Sequence, residues 1–329
     1  MKTRGLVVGK FYPPHRGHKL LIDTALAQAD EVHVVVCARP GEHPPADVRA
    51  RWIREIHPGA TVHLIDDRYD PNDSRVWAAV CTALLGFAPE VVFTSESYGE
   101  PFAAHLGCRH VLVDRQRAAV PVSGTAVRAD PFANWDFLDP PVRGFYARRV
   151  VLIGAESTGK TTLAADLAAA LGTVWVPEYG REYWEQKAAR GEPDVWAPEE
   201  FVTIARGQCE REDAAARRAN RVLVCDTDAF ATRVWHRRYM GSWSAEVDAV
   251  ARAHRRPDLY LLTDINTPFF QDGTRDGERI RDWMHQTFVN ELTTDNRSFV
   301  RVLGTPAERL ATALDAINRL RSGAIVQNG

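Results

Sequence analysis

The feature that most constrains this 329-residue chain lies near its middle. Val150, Val151, Leu152 and Ile153 read as a buried strand, GAESTGKT (residues 154–161) follows, and an Ala-Leu-rich helical pattern starts at Leu163. The octet matches Gly-x-x-x-x-Gly-Lys-Thr in the strand, loop and helix context that turns a bare pattern into a phosphate-binding loop. Such a loop requires a sheet covered by helices. It begins so far along the chain that the preceding residues are enough for a domain of their own, and the length also favours two domains. The loop can curl round phosphate oxygens as an anion nest. Gly154, Glu156, Ser157, Thr158, Gly159 and Thr162 are therefore expected at ATP, with Lys160 bridging the β- and γ-phosphates and Thr161 holding Mg2+.

A loop of this type needs a second, metal-orienting acid at the end of a neighbouring strand. RVLVC (residues 221–225) runs into Asp226, the leading choice, with Asp228 the alternate. Glu178 ends TVWVPE and is followed by Tyr179 and Arg181. It could orient an acceptor hydroxyl, or it could simply cap the next helix. Residues 266–276 (NTPFFQDGTRD) have the composition of a lid over phosphates, with Arg275, Arg279 or Arg281 as charge-neutralising groups.

The N-terminal half is organised by GLVVGKFYPPHRGH, residues 5–18. A short apolar run ends at Gly9, and Lys10, Phe11 and a Pro-Pro turn follow. His15 and His18 stand where a helical pattern begins, which aims backbone N–H groups and imidazoles at a phosphate. Strand-like segments at residues 31–37, 61–65, 90–94 and 109–113 then alternate with helical ones, one of them starting at Asp47 as N-cap and turning Val48, Trp52, Ile53 and Ile56 inward. This alternation predicts a parallel sheet with ligands beyond the carboxyl ends of its strands. PVSGTAVR (residues 121–128) offers Ser123, Thr125 and Arg128 at a helix start, suited to a triphosphate tail or to ordinary capping. Trp77 and Tyr98 follow strand ends and could stack on a cationic aromatic ring, although Trp77 suits a core equally well. Arg49, Arg51 and Arg54 could reach an acceptor phosphate, but on a helix they read more readily as a solvated face. Prolines and a glycine in residues 139–148 stop one helix and mark a boundary, giving domains 1–144 and 145–329.

A formal net charge of -2 and a pI of about 6.6 give no sign of a sequence-independent nucleic-acid binder. No apolar run reaches membrane-spanning length, and a strand begins almost at once, so no signal peptide and a cytoplasmic location are expected. Five cysteines without a Cys-x-x-Cys pair predict neither a disulfide nor a structural zinc. Composition leaves the oligomeric state, including a homo-oligomer, open.

His-x-Gly-His after a strand resembles the nucleotidylyltransferase superfamily, and Ser-x-Thr-x-x-Arg resembles its second signature. In order, GKFYPPHRGH, PVSGTAVRADPF, GAESTGKTT, EYGREY, CDTDAF and NTPFFQDGTRD resemble the bifunctional NadR-type family across nearly the whole chain. The resemblance implies a Rossmann-like nucleotidylyltransferase sheet followed by a P-loop kinase α/β domain. It also implies two reactions with ATP as co-substrate: phosphorylation of ribosylnicotinamide to nicotinamide mononucleotide, and adenylylation of the mononucleotide to NAD. Lys10, His15, His18, Arg128, Lys160 and Asp226 would carry the chemistry. Some relatives begin with a helix-turn-helix domain; this chain starts at the adenylyltransferase strand, so DNA binding is not expected. Because the motifs recognise phosphates rather than bases, two alternatives stand at this point. One is a nucleotidylyltransferase fused to a kinase of other specificity, and the other is an NAD- or ATP-sensing protein with little turnover.

Overall fold

Apolar runs punctuated by turn residues become parallel strands throughout the computed structural model, which describes residues 2–193, 195–265 and 280–322. In the N-terminal unit β1 (Arg4–Gly9), β2 (Glu31–Ala38), β3 (Ala60–Asp66), β4 (Val91–Thr94) and β5 (Arg109–Leu112) form one sheet in the order β3-β2-β1-β4-β5. The crossovers are α1 (Arg16–Gln28), α2 (Ala46–Ile56), α3 (Ser74–Leu85) and α4 (Gly99–Leu106). Alternation of side chains along each strand builds a core on both faces. Val7, Val34, Val36 and Phe93 pack with Ile22 and Ile53 on one side, and Leu6, Val35 and Val92 pack with Trp77 and Phe102 on the other. Each large apolar side chain buried this way contributes roughly 1.5–3 kcal/mol. Strands are added outward from β1 in both directions, so the crevice beyond the carboxyl ends of β1 and β4 is the topological switch point.

Two local readings are corrected. Helix α2 begins at Ala46 behind Pro45, and Asp47 sits in its first turn, where the helix dipole still favours an acid. The buried face is then Arg49, Ala50, Trp52 and Ile53, so Arg49 is fully buried rather than solvated. After α5 (Gly124–Ala129), Pro140 and Pro141 open α6 (Pro140–Tyr146) instead of ending a helix, since a proline in a first turn gives up an N–H that has no helical partner. The chain divides into two compact units after Arg143.

In the C-terminal unit β6 (Arg148–Ile153), β7 (Trp175–Val176), β8 (Val222–Asp226), β9 (Leu259–Thr263) and β10 (Phe299–Val302) form a second parallel sheet, ordered β10-β9-β6-β8-β7. Around it run α7 (Lys160–Leu171), α8 (Tyr179–Ala189), α9 (Pro198–Ala216), α10 (Ala229–Met240), α11 (Ala245–Ala253), α12 (Arg281–Thr294) and α13 (Pro306–Arg321). Leu163 and Leu167 of α7 and Ala313 and Ile317 of α13 cover Val150, Leu152, Val224 and Leu261. The start of α13 is fixed by a capping box between Thr305 and Glu308 with Pro306 at its first position. The lid expected over residues 266–276, with Arg275 and Arg279, lies outside the described residues. Arg281 starts α12, is buried, and donates to the Ile265 carbonyl at 3.2 Å. All five cysteines are free thiols. No helix among the described residues is long and apolar enough to cross a membrane.

Candidate active sites

At the switch point of the first sheet a cavity of about 540 Å³ is lined by Gly9, Lys10, Phe11, His15, His18, Trp77, Tyr98, Ser123, Thr125 and Arg128, among others. Residues far apart in sequence thus meet at one place because each follows a parallel strand or opens a helix there. His15 is the N-cap of α1, and its Nδ1 accepts from the Gly17 N–H at 3.1 Å, which leaves the proton of a neutral ring on Nε2. The His18 ring stacks on it at 3.8 Å between centroids and meets Phe11 edge-on at 5.0 Å. Burial, aided by the Arg117 guanidinium, lowers the His15 pKa to about 4. Burial together with His15 and Arg117 holds His18 well below its ordinary value. Both rings are neutral at pH 7, and His18 Nδ1 is buried without a hydrogen-bond partner.

The cations of this cavity are held from behind. Lys10 Nζ lies 3.2 Å from Asp67 and 3.8 Å from Glu42. Arg128 donates to the Tyr12 carbonyl and, at 3.0 Å, to Thr125 Oγ1, with its guanidinium 4.7 Å from the Tyr12 ring centre. Ser123 caps α5 by accepting from the Ala126 N–H at 3.1 Å. Arg49 donates to the Lys10 and Pro44 carbonyls and pairs with Glu42, fixing the loop that follows β1. Phe11 is buried in the core behind the loop, with φ of +48°, so its side chain serves packing more than contact with a ligand. Trp77 is only 9% exposed, packs in the core with Leu6 and Phe102, and donates from Nε1 to the Asp70 carbonyl. Tyr98 is half-open and donates to the Val8 carbonyl at 3.2 Å. Arg117 is a cavity residue that sequence reasoning missed. It sits in a loop without a motif and pairs with Glu96 at 3.4 Å.

A second cavity, about 940 Å³, opens beyond β6 and is lined by residues 156–162, Glu178, Arg181, Gln208 and a group of aromatic side chains. Gly154 has φ of +150°, and a Cβ there would stand 2.3 Å from Thr263 Oγ1 and 2.8 Å from the Thr263 carbonyl oxygen, so only glycine lets the loop leave β6 beside β9. Thr158 is fully buried, bonded to the Ala155 carbonyl at 2.8 Å and to Thr263 Oγ1 at 2.7 Å. Ser157 bends the loop with φ of +56°, and Gly159 precedes α7 in the left-handed region. Glu156 pairs with Arg238 of α10. Lys160 Nζ donates to the Gly154 and Ala155 carbonyls at 3.1 and 2.9 Å, inside the loop it belongs to.

Thr161 Oγ1 donates to Asp226 Oδ2 at 2.5 Å, while Asp226 Oδ1 is buried without a hydrogen-bond partner. Burial raises the Asp226 pKa against the lowering pull of Lys160 and Thr161. Glu178 stands at the N-cap position of α8, yet its side chain makes no capping bond. Burial and then Asp226 push its carboxyl up to about 7, opposed by Lys160 and Arg181. The Thr161 hydroxyl and the Asp226 carboxylate, one of whose oxygens is orphaned, suit a hard cation that completes its shell with phosphate oxygens and water. Among the described residues no group of three or more His, Cys, Asp and Glu could hold a metal by itself.

Two expected substrate contacts are placed elsewhere. Asp228 is buried, caps α10 through the Ala231 N–H at 2.8 Å and accepts from Tyr260 at 2.7 Å, so it is a structural acid and does not line the cavity. Tyr179 packs against α9 rather than lining the cavity. The aromatic wall was not anticipated: Trp184, Trp196, Phe201, Trp235 and Tyr239 converge from three helices and a loop, with Trp196 5.3 Å from Phe201 and 5.7 Å from Tyr239 between centroids. Its only trace in the sequence is tryptophan scattered through the second half, with no local spacing to announce a common site.

Residues 149–309 match the AAA domain family and residues 6–71 the cytidylyltransferase-like family. Solved structures described as NadR protein in complex with NR and with NAD and AMP-PNP superpose with TM-scores of 0.79 and 0.75 at 22% identity, covering all of this chain and 98% and 99% of theirs. A nicotinamide-nucleotide adenylyltransferase of Thermococcus kodakarensis is 31% identical over 30% of this chain and 56% of its own. The trifunctional NAD biosynthesis/regulator proteins NadR of Escherichia coli (strain K12) and Salmonella typhimurium are 32% and 31% identical, over 92% of this chain and 79% of theirs. With such identity sustained through both compact units, this chain belongs to the NadR family.

Proposed function

We propose that the N-terminal unit transfers the adenylyl group of ATP to nicotinamide mononucleotide, giving NAD and pyrophosphate, and that the C-terminal unit phosphorylates the 5′-hydroxyl of ribosylnicotinamide to supply that mononucleotide. The observation that carries this reading is a pair of separate polyphosphate cradles, each beyond the carboxyl end of a central parallel strand in its own unit. The relatives named for NAD biosynthesis and for nicotinamide-nucleotide adenylyl transfer support it.

In the first reaction the acceptor phosphate oxygen attacks the α-phosphorus of ATP as the bond to the β-phosphate oxygen breaks, and no covalent enzyme intermediate is needed. Catalysis is positioning and charge stabilisation: ring N–H donation from His15 and His18, positive charge from Arg128, Arg117 and Lys10, and hydroxyls from Ser123 and Thr125. In the second, the 5′-hydroxyl oxygen attacks the γ-phosphorus of ATP as the bond to the bridging β-phosphate oxygen breaks and ADP leaves. Lys160 exchanges the loop carbonyls for phosphate oxygens, and Glu178 accepts the hydroxyl's proton. Thr161 and Asp226 would hold Mg2+, which neutralises phosphate charge when bound. The aromatic wall favours a cationic pyridinium nucleoside over a neutral one, since a cation gains at a π-face what a neutral base does not.

The direct test incubates purified protein with ribosylnicotinamide, ATP and Mg2+. Mononucleotide followed by NAD is the expected sequence of products. Tight NAD binding with neither product would instead support a sensor, and phosphorylation confined to neutral nucleosides would support another specificity. The proton acceptor is tested by pH. A carboxyl with a pKa of about 7 is protonated and idle below that value, so kinase kcat/KM should rise as pH increases through about 7. Glu178→Gln should cost on the order of 10²–10⁴-fold and abolish that rise; a variant retaining both rate and profile removes Glu178 from the role.

A further inference from the structure

Helix α8 poses a question of capping. Glu178 occupies its N-cap position but does not cap, and the first N–H of the helix, that of Tyr179, is nevertheless satisfied. Its acceptor is Gln208 Oε1 of α9, at 3.0 Å. Gln208 is 1% exposed, and its Nε2 donates at 3.3 Å to both the Thr227 carbonyl and Glu212 Oε1. The amide therefore has one workable orientation, because turned over its oxygen would face two acceptors. It ties the Glu178–Tyr179 peptide to the carbonyl of Thr227, the residue that follows Asp226.

The neighbours of Gln208 on α9 serve the same contact. A Cβ at Gly207 would stand 2.2 Å from Tyr179 Cε1 and 2.5 Å from Cδ1, so the ring lies where a side chain would otherwise project. One turn further, the Arg211 guanidinium covers that ring at 4.2 Å from its centre and pairs with Glu182 of α8 at 2.8 Å. Space, hydrogen bond and cation on one stretch of α9 converge on a single residue of α8.

We infer that Gly207, Gln208 and Arg211 form a latch for Tyr179 that positions Glu178 against Asp226 and, by supplying the cap, leaves the Glu178 carboxylate in the cavity. These are positioning residues; none is needed to touch substrate. The inference rests on the kinase reading above.

The test uses the full chain, with ribosylnicotinamide and ATP for the kinase and nicotinamide mononucleotide and ATP for the adenylyl transfer. Gln208→Met and Gly207→Ala should each lower kinase kcat about tenfold or more, as misplacement of a reacting group does. The KM for ATP should stay within about twofold and adenylyl transfer should be unchanged, because no residue of the loop 154–161 or of the N-terminal unit is altered. Tyr179→Ala should lower kcat as well, and Gly207→Ala combined with Tyr179→Ala should be no worse than the more impaired single variant, since both break one contact. If Gln208→Met does not fold, Gln208→Glu keeps the acceptor for Tyr179 and loses the donor to Thr227, with the same fall in kcat expected. Folded variants whose kcat stays within about twofold of wild type, losses that multiply in the double variant, or KM for ATP rising in step with the fall in kcat would each overturn the latch. Wild-type protein without kinase activity overturns the kinase reading and the latch's catalytic role with it; active wild type with unaffected variants overturns the latch alone.

Discussion

Replacing Lys160 by alanine is expected to lower phosphorylation of ribosylnicotinamide on the order of 10³-fold or more while adenylyl transfer to the mononucleotide persists. Lys160 is 8% exposed and its ammonium is bonded to two carbonyls of its own loop, so it is preorganised where phosphate oxygens would enter. A cation held ready in a low-dielectric cradle needs little reorganisation when charge develops, which is why removing one is worth about 4 kcal/mol of barrier. Loss of the side chain also leaves the Gly154 and Ala155 carbonyls without that donor. Measuring both activities on the same preparation separates chemistry from folding: a misfolded protein loses both, whereas the proposed arrangement loses one. Retained phosphorylation in Lys160→Ala would remove residues 154–161 from the role of phosphate cradle.

The two motifs could be read from sequence because their constraints are local. A strand that must turn at once into a helix around a phosphate leaves glycine at Gly154 and Gly159, a lysine at Lys160 and a hydroxyl at Thr161 within one octet. The same holds for His15, which caps the helix it opens. Parallel topology then carries each motif to the carboxyl edge of its sheet, so fold and rough site location follow together. What escaped depends on contacts that no spacing encodes. Arg49 looked like one of three arginines on a helix face, and its burial comes from its partners, Glu42 and the Lys10 and Pro44 carbonyls beneath it. Asp226 and Asp228 stand two residues apart and would share a face of a continuing strand; the left-handed turn at Thr227, φ +69°, and the N-cap of α10 separate them, so that one meets Thr161 and the other Tyr260. Trp184, Trp196, Trp235 and Tyr239 become a wall only once α8, α9 and α10 are packed.

His18→Ala is expected to lower adenylyl transfer by about 10²–10³-fold, the size associated with removing one positioned donor, while ribosylnicotinamide phosphorylation persists. The sharper question is the charge of the ring when it acts. Burial leaves the His15 pKa at about 4 and, with His15 and Arg117 beside it, holds His18 well below 6.5. A group whose folded pKa is depressed is neutral above that value, so in the free protein both rings are neutral from pH 6 upward. The pH dependence of kcat/KM reports the free protein. If neutral N–H groups stabilise the transferring phosphoryl, kcat/KM for adenylyl transfer should be flat with respect to these rings between pH 6 and pH 8. If imidazolium were required, kcat/KM would instead fall about tenfold for each unit across that range. The stacked geometry argues for the neutral form: two imidazolium rings 3.8 Å apart would repel in a site that already holds Arg117, whereas two neutral rings can each present one N–H to the same phosphate. A steep decline above pH 6 that disappears in His18→Ala would reverse this assignment and make the pair a protonated anion trap.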